Sequence, residues 1–388
     1  MKKLKSLIMY FFFLPPYLIS KLVPKDENVW MFGSWFGEKY ADNSRFLFEY
    51  VNNEQPRIRA IWISRDRDII RNLRTLGYEA YYLYSPKAIL LSMRCMFSVF
   101  VQSNKDDVLM HLNNGKTKLI QLWHGIPLKK IGYDDQLAGH HNNEEMGVKK
   151  LLFPYAFERH DLVISCGVED QSNFVSAFRN NNVSITGYPR NDILFRVDTD
   201  KIRTKSIVYL PTYREGVGHN VDMFSNFSFD LVEWQKYLSA EGVVLYIKMH
   251  PVNVPPDKVV KLLSQSRHIV FLGDVDVGEL LTEADLLITD YSSVYFDYLL
   301  TGKPIIFAPF DYSNYLQNER DLYYQYEDLT PGPKCKDWCE VLKWTNKFKK
   351  DASIYSLERT RIKNRFHEFQ DGFSSERVFR QMELLIGK

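Results

Sequence analysis

Residues 284–304 read Ala284-Asp-Leu-Leu-Ile-Thr-Asp-Tyr-Ser-Ser293-Val-Tyr-Phe-Asp-Tyr-Leu-Leu300-Thr-Gly-Lys-Pro304. The apolar run before Asp290 predicts a buried strand, and Ser292 or Ser293 can cap the helix that follows it. A second apolar run begins at Pro304, so the segment predicts a strand–helix–strand unit. Such units are typical of parallel sheets flanked by helices, and we therefore expect an α/β fold.

The same alternation of short β-type runs and helical stretches extends along the whole chain. The first half predicts strands at residues 29–32, 58–63, 80–83, 97–102, 119–123, 162–165 and 183–186. The second half predicts them at residues 206–210, 243–249, 269–271, 285–289 and 304–308. Two such sets in succession predict two doubly wound domains. The expected divisions are an N-terminal segment (1–25), two Rossmann-like domains (26–195 and 196–372) and a last helix that packs back on the first domain (373–388).

Composition excludes several classes of protein. With 388 residues, 45% of them hydrophobic and 25% charged, the chain is long enough for two to three globular domains. A net charge of only +2 does not favour nucleic-acid binding. The spacing of Cys335 and Cys339, without a second pair or a nearby histidine, argues against a zinc site. Neither a P-loop nor a G-x-G-x-x-G motif occurs, which argues against an ATPase and a dehydrogenase.

The N-terminus combines basic and aromatic residues. Lys2, Lys3 and Lys5 precede the apolar run of residues 7–14, which is shorter than the roughly 20 residues that span a bilayer. Pro15-Pro16 follows and is expected to break a spanning helix. This pattern favours a segment that lies on a membrane surface, with a buried N-terminal helix as the alternative.

The segment Gln121-Leu-Trp-His-Gly-Ile-Pro-Leu-Lys-Lys130 places a histidine where a predicted strand ends. Ligands of open α/β sheets bind at the carboxyl ends of the strands, and an imidazole there suits proton transfer near neutral pH. A structural histidine in a turn is the alternative reading of His124. Pro127 is expected to open a helix with Lys129 and Lys130 in its first turn, where they contact a phosphate or simply face solvent.

Three strand ends of the second half carry polar residues. Arg214 follows the first, Lys248 and His250 lie at the end of the second, and Ser292-Ser293 follows the third. A guanidinium, an ammonium group and serine hydroxyls at a helix start are all suited to phosphate oxygens. Together with His124 they favour phosphoryl chemistry, which depends on positioning and charge stabilisation.

Six motifs follow one another along the chain: W-H-G-x-P-L-K-K-I-G (123–132), G-Y-P-R-N-D (187–192), P-T-Y-R (211–214), K-M-H-P (248–251), T-D-Y-S-S-V-Y-F-D (289–297) and K-P-I-I-F-A-P-F-D-Y-S-N-Y (303–315). In these motifs and their order the chain resembles a known family, the CDP-glycerol glycerophosphotransferases of teichoic acid synthesis. The resemblance implies a GT-B fold, with two Rossmann-like domains and the site in the cleft between them.

The resemblance also implies the partners and the site. The donor is CDP-glycerol, the acceptor is a lipid-linked saccharide, and the enzyme attaches peripherally to the cytoplasmic face of the bacterial membrane. The base falls on His124, and the donor pyrophosphate contacts fall on Arg214, Lys248, His250, Ser292 and Ser293, with His250 counted as catalytic beside His124. Asp290 and Asp311 lie in family motifs and are expected to belong to the substrate site. Nucleic acid is not an expected partner, and the scheme needs no metal or cofactor.

Several functions remain open at this stage. The chain lacks the extra N-terminal region of the long polymerases, which favours a primase that adds the first glycerol phosphate. Alternatives are a short capsule or teichoic acid polymerase that uses CDP-glycerol or CDP-ribitol, and a GT-B glycosyltransferase that uses a nucleotide sugar. A non-catalytic membrane-associated assembly protein is disfavoured, because a scaffold has no need for this set of basic and imidazole residues.

Overall fold

The architecture is that of a computed structural model, which describes residues 2–103, 105–113, 116–135, 152–156, 159–196, 205–212, 214, 222–249, 253, 255–273, 275–312 and 321–387. The chain forms two compact units. The first comprises Met1–His124, Gly132–Asp192 and Asp371–Lys388, and the second comprises Gly125–Ile131 and Ile193–Gln370.

Each unit contains one open sheet in which the described strands pair in parallel. The strands of the first unit are β1 (Asp26–Phe32), β2 (Arg59–Ser64), β3 (Ala80–Tyr82), β4 (Cys95–Phe100), β5 (Lys118–Gln121), β6 (Leu162–Ser165) and β7 (Val183–Ile185). Those of the second unit are β8 (Lys205–Leu210), β9 (Val243–Ile247), β10 (Ile269–Phe271), β11 (Leu286–Thr289) and β12 (Ile305–Phe307). Every strand predicted from the sequence is thereby confirmed within a few residues at its ends.

The described helices lie between the strands and also before the first and after the last of them. They are α1 (Lys2–Ser20), α2 (Asp42–Glu54), α3 (Arg67–Thr75), α4 (Pro86–Arg94), α5 (Val168–Phe178), α6 (Leu231–Glu241), α7 (Asp257–Leu263), α8 (Val277–Glu283), α9 (Val294–Leu299), α10 (Tyr326–Leu329), α11 (Trp338–Lys350), α12 (Ser356–Phe366) and α13 (Ser374–Leu384). Their starts follow local chemistry: the carboxylates of Asp66, Asp230 and Asp337 accept hydrogen bonds from the first free N–H groups of α3, α6 and α11.

Strand order determines where each unit can bind a ligand. The first sheet has the order β3-β2-β1-β4-β5-β6-β7 and the second has β10-β9-β8-β11-β12. In both sheets the chain first adds strands toward one edge, then returns to the middle and adds the remaining strands toward the other edge. This reversal lies between β1 and β4 in the first unit and between β8 and β11 in the second. Crevices for ligands open at the carboxyl ends of strands at such a reversal.

The first described helix, α1, and the last, α13, both belong to the first unit. Asp192 accepts hydrogen bonds from the backbone N–H groups of Ser374 and Ser375, at 2.8 Å each, and so caps α13. The rings of Trp30 and Phe379 lie 5.2 Å apart, which fixes α13 against β1. At the other end, α1 runs without interruption through Pro15 and Pro16, so the expectation that this pair breaks the helix is wrong.

Candidate active site

His124 lies beside the reversal point of the first sheet. Its Nδ1 is 3.4 Å from the carbonyl oxygen of Val101, the residue that follows β4, and its ring centroid is 6.0 Å from that of Trp35, which lies just beyond β1. A carbonyl oxygen can only accept a hydrogen bond, so this contact requires the proton to be on Nδ1. Nε2 then carries the lone pair and is the atom able to accept a proton from a substrate.

The surroundings of His124 favour the neutral imidazole. Burial lowers the pKa of His124 below its ordinary value, the Asp42 carboxylate and the Val101 carbonyl oppose this shift, and Arg190 adds to it. Because the folded-state pKa is lowered, the ring is unprotonated at neutral pH. The histidine therefore has the charge state of a general base.

Asp107 joins the loops that follow β1 and β4. Its carboxylate accepts hydrogen bonds from the backbone N–H groups of Phe36 at 2.5 Å, Val101 at 3.0 Å and Gln102 at 2.7 Å. Burial raises the pKa of Asp107 to about 6, and the backbone donors oppose that shift. The carboxylate thus fixes Val101, whose carbonyl accepts the hydrogen bond from His124 Nδ1.

Arg214 lies at the reversal point of the second sheet, between two carboxylates. Its Nη2 is 2.7 Å from Oδ2 of Asp290, which follows β11, and its Nε and Nη2 donate to Asp311 at 2.8 and 2.9 Å. Nη1 donates to the carbonyl of Thr212 at 2.6 Å. Burial by itself lowers the pKa of Arg214, but the carboxylates of Asp290 and Asp311 raise it by more. The net shift is upward, so the guanidinium stays charged.

Asp290 is the centre of this arrangement and is fully buried. Its Oδ1 accepts hydrogen bonds from the N–H and hydroxyl of Thr212 at 2.8 and 2.6 Å, and from the N–H of Tyr291 at 2.6 Å. These contacts tie the loop after β8 to the loop after β11. Arg214 donates hydrogen bonds from Nε, Nη1 and Nη2, and its Nη2 also forms an ion pair with Asp290, so its described role is to brace these loops.

The other residues expected at this edge occupy different settings. Lys248 lies one residue beyond β9, and its Nζ donates to the carbonyl of Gly273 at 3.0 Å. Ser292 Oγ accepts from the N–H of Val294 at 3.4 Å, whereas the Ser293 side chain makes no capping bond to the short helix α9. Both serines are half-buried. His250 lies outside the described residues.

Lys129 and Lys130 do not lie on a helix, and the expectation that Pro127 opens one is wrong. Lys129 forms an isolated antiparallel bridge with Leu322, and the N–H of Lys130 donates to the carbonyl of Asp321 at 2.8 Å. These pairings with residues 321–323 fix an extended backbone. Lys130 Nζ also lies 3.5 Å from Asp321 Oδ2, so its charge is partly balanced.

Three polar residues of the first unit were not assigned a role from the sequence. Asp42 and Asn43 begin α2, and Arg190 follows β7. All three are bonded to one another or to the turn that carries His124. The available signals were Arg190's place in the G-Y-P-R-N-D motif and the polar pair at the start of an amphipathic stretch. Within the described residues, no group of three or more His, Cys, Asp or Glu could hold a metal ion.

Comparison with known proteins identifies similar chains across nearly the whole length. The sequence model of a family described as CDP-glycerol:poly(glycerophosphate) glycerophosphotransferase matches residues 16–384. A teichoic acid glycerol-phosphate transferase from Staphylococcus aureus is 30% identical over 97% of each chain. A teichoic acid poly(glycerol phosphate) polymerase from Bacillus spizizenii is 28% identical over 94% of each chain.

The solved structure of the wall teichoic acid polymerase TagF has a similar fold. It superposes with a TM-score of 0.73 at 23% identity, over 93% of this chain and 89% of that one. This chain has two parallel sheets of Rossmann-type strand order. Together with the likeness to TagF, they confirm the expected α/β GT-B fold.

Proposed function

This chain belongs to the CDP-glycerol:poly(glycerophosphate) glycerophosphotransferase family, and from that premise we propose that it transfers glycerol phosphate from CDP-glycerol to a hydroxyl of a membrane lipid-linked acceptor and releases CMP. The product belongs to teichoic acid or a related cell-surface polymer. The observation that carries the residue assignment is the neutral, Nδ1-anchored imidazole of His124 beside the reversal point of the first sheet.

In this mechanism His124 acts as the general base. Nε2 accepts the proton of the acceptor hydroxyl as its oxygen attacks the β-phosphorus of CDP-glycerol. A bond forms between that oxygen and the β-phosphorus, and the bond from the β-phosphorus to the bridging oxygen breaks. The electron pair leaves on CMP, and the proton held by His124 is lost to solvent.

The donor is assigned to the strand ends of the second unit. Lys248, His250 and the serine pair 292–293 hold the pyrophosphate and stabilise the negative charge that develops in the transition state. Asp290, Asp311 and Arg214 keep the loops after β8 and β11 in place. We infer that Arg214 supports donor binding chiefly through this bracing, because its described hydrogen bonds go to Asp311 and the Thr212 carbonyl and its charge is paired with Asp290. The required positive charge comes from side chains.

We assign a single addition to this chain, as in a primase, with polymerisation as the second candidate. The Bacillus spizizenii polymerase matches over 94% of its own length, so a polymerase can be about as long as this chain. This supports polymerisation as the second candidate, because chain length does not distinguish the two activities.

Incubation with CDP-glycerol and a synthetic lipid-linked acceptor is expected to add one glycerol phosphate, which mass spectrometry of the product detects as one mass increment. A ladder of increments would assign a polymerase instead. Parallel reactions with CDP-ribitol and UDP-sugars test the donor. Transfer from a UDP-sugar but not from a CDP-polyol would overturn the proposed function.

We also propose that α1 contacts the membrane surface. One part of the helix packs inward, where Tyr17 is buried against Tyr155 with ring centroids 4.8 Å apart. Other apolar side chains are exposed, on α1 itself at Phe12 (70%) and in the turn directly after it at Leu22 (84%). None of the described helices is long and apolar enough to cross a bilayer. The lysine-rich sequence around these exposed apolar groups is suited to anionic lipid headgroups.

Leu22→Glu is expected to reduce cosedimentation with vesicles of anionic phospholipid by about an order of magnitude, because a carboxylate replaces an inserted apolar group and is repelled by the headgroups. Leu357→Glu is the matched control, since Leu357 is exposed to 83% and lies in the second unit. Equal vesicle binding by both variants and the parent chain would refute the assignment of α1.

A further inference from the structure

The turn that carries His124 is held by a side chain from α2. Trp123 has a left-handed backbone with φ of 52°, which costs free energy for a bulky residue and persists only where neighbours fix it. Asn43, which is fully buried, donates its amide hydrogens to the carbonyls of Leu122 at 3.1 Å and Trp123 at 2.9 Å. Both peptide groups that flank the strained residue are therefore anchored by one amide.

Arg190 holds the next carbonyl of the same turn. Its Nη1 donates to the carbonyl oxygen of His124 and to Oδ1 of Asp42, each at 2.9 Å, and its backbone N–H donates to Oδ1 of Asn43 at 3.1 Å. The three successive carbonyls of residues 122–124 thus accept hydrogen bonds from the side chains of Asn43 and Arg190, and the Arg190 backbone is in turn bonded to the Asn43 side chain. A packing role alone does not require hydrogen bonds on every carbonyl of the turn.

The same residues place opposite charges near the imidazole. Asp42, itself in a left-handed conformation with φ of 65°, pairs with Arg190, and both act electrostatically on His124. From the other elements packed against the ring come the neutral Trp35 side chain and the Val101 carbonyl. Lys39 lies beyond them, 5.9 Å from the Trp35 ring.

We propose that Asp42, Asn43 and Arg190 are positioning residues for His124, which fix the turn that presents its Nε2 and hold one charge of each sign beside its ring. This inference rests on the proposed role of His124 as the base. Asn43 supplies the geometry, while the Asp42–Arg190 pair balances the local field. With that pair intact the ring is neutral at working pH and keeps enough basicity to accept a proton.

The two charged partners make opposite predictions for the pH profile. Asp42 favours the imidazolium, so Asp42→Asn lowers the pKa of His124 and moves the acidic limb of kcat/KM to lower pH. Arg190 disfavours the imidazolium, so Arg190→Gln raises that pKa and moves the limb to higher pH. Each shift is expected to be on the order of 0.5 to 1 pH unit, because the charges are not in direct contact with the ring.

The experiment measures kcat/KM against pH for the full chain and for Asp42→Asn, Arg190→Gln, Arg190→Lys and Asn43→Ala. Asn43→Ala is expected to lower kcat by about 10- to 100-fold, because the base is misplaced. The acidic limb of its pH profile is expected to stay unchanged, because the charges of Asp42 and Arg190 remain. Arg190→Lys keeps the charge and is expected to restore the parental limb. Glu79→Gln is the control, since Glu79 pairs with Arg59 at the amino end of β2, away from the site.

Shifts of the two charge variants in the same direction, or losses of rate that only follow losses of thermal stability, would overturn the inference. If Arg190→Gln does not fold, Arg190→Lys and Asp42→Asn still decide it, because a parental limb in Asp42→Asn refutes the electrostatic part. An active His124→Ala variant would instead refute the base role itself. Failure of the inference and failure of the proposed function are therefore separable.

Discussion

Replacing His124 by alanine is expected to lower the rate of glycerol phosphate transfer by about 10²- to 10⁴-fold, the range contributed by a positioned general base. Among the described residues the ring makes one long hydrogen bond, to Val101, so its removal leaves most of the surrounding hydrogen bonds in place. Affinity for CDP-glycerol, measured by calorimetric titration, is expected to stay within a few-fold of the parent value, because the donor contacts are assigned to the second unit.

A second histidine offers a matched control. His268 is also half-buried, and its Nδ1 lies 3.2 Å from the carbonyl of Val243, but it precedes β10 at the amino end of the strand. His268→Ala is expected to retain the parental rate. A parallel fall of donor affinity and rate in His124→Ala would count against proton abstraction and would favour a binding role instead.

Replacing Arg214 by methionine is expected to lower the free energy of unfolding by about 3–5 kcal/mol, the usual cost of removing one partner from a buried ion pair. Asp290 is fully buried and would lose its only described cation, while Asp311 would lose two hydrogen bonds. Urea unfolding followed by circular dichroism measures this change, and donor affinity is expected to fall together with stability.

A second substitution separates bracing from direct phosphate contact. Arg214→Met combined with Asp290→Asn removes the uncompensated charge and is expected to recover part of the lost stability, since the asparagine oxygen can still accept from Thr212 and Tyr291. Under the bracing role, donor affinity recovers in the same variant. Recovered stability with donor affinity still lost would show that the guanidinium contacts the donor. Arg361, on α12, provides a surface control as Arg361→Met.

Much of the fold could be predicted, because each strand is a short run of buried apolar residues with a polar end. The alternation at Leu286–Thr289 and Val294–Leu299 gave both the strand and the helix, and the same logic held for β8 and β9. The helix expected after Pro127 was wrong for a physical reason: its backbone groups pair with residues 321–323, nearly 200 positions away. Local conformational preferences of the sequence carry no information about a hydrogen-bond partner at that separation.

The candidate site divides in the same way. His124, Arg214 and Lys248 were proposed as site residues because each stands at the end of an apolar run, and strand ends of a parallel sheet converge on one edge. Asp290 was proposed from the family motif in which it lies. The link between Arg214, Asp290 and Asp311 was not foreseeable, since the three residues belong to three separate strand ends. The hydrogen bonds of Asn43 and Arg190 to residues 122–124 were not predicted, because nothing in the sequence relates these positions to one another.

By itself the sequence determined the α/β class, the strands, and which residue types stand at their ends, because hydrophobic periodicity and turn chemistry are local properties of the chain. Only the tertiary structure decided which of those groups act on one another. In the folded chain Arg214 pairs with two carboxylates, and His124 Nδ1 contacts the Val101 carbonyl. Asn43 and Arg190 bind the turn that carries His124, and Asp42 pairs with Arg190. Strand order contributes to these pairings, because β5 lies beside β4, and β11 lies between β8 and β12, so that residues from distant parts of the chain meet at neighbouring strand ends.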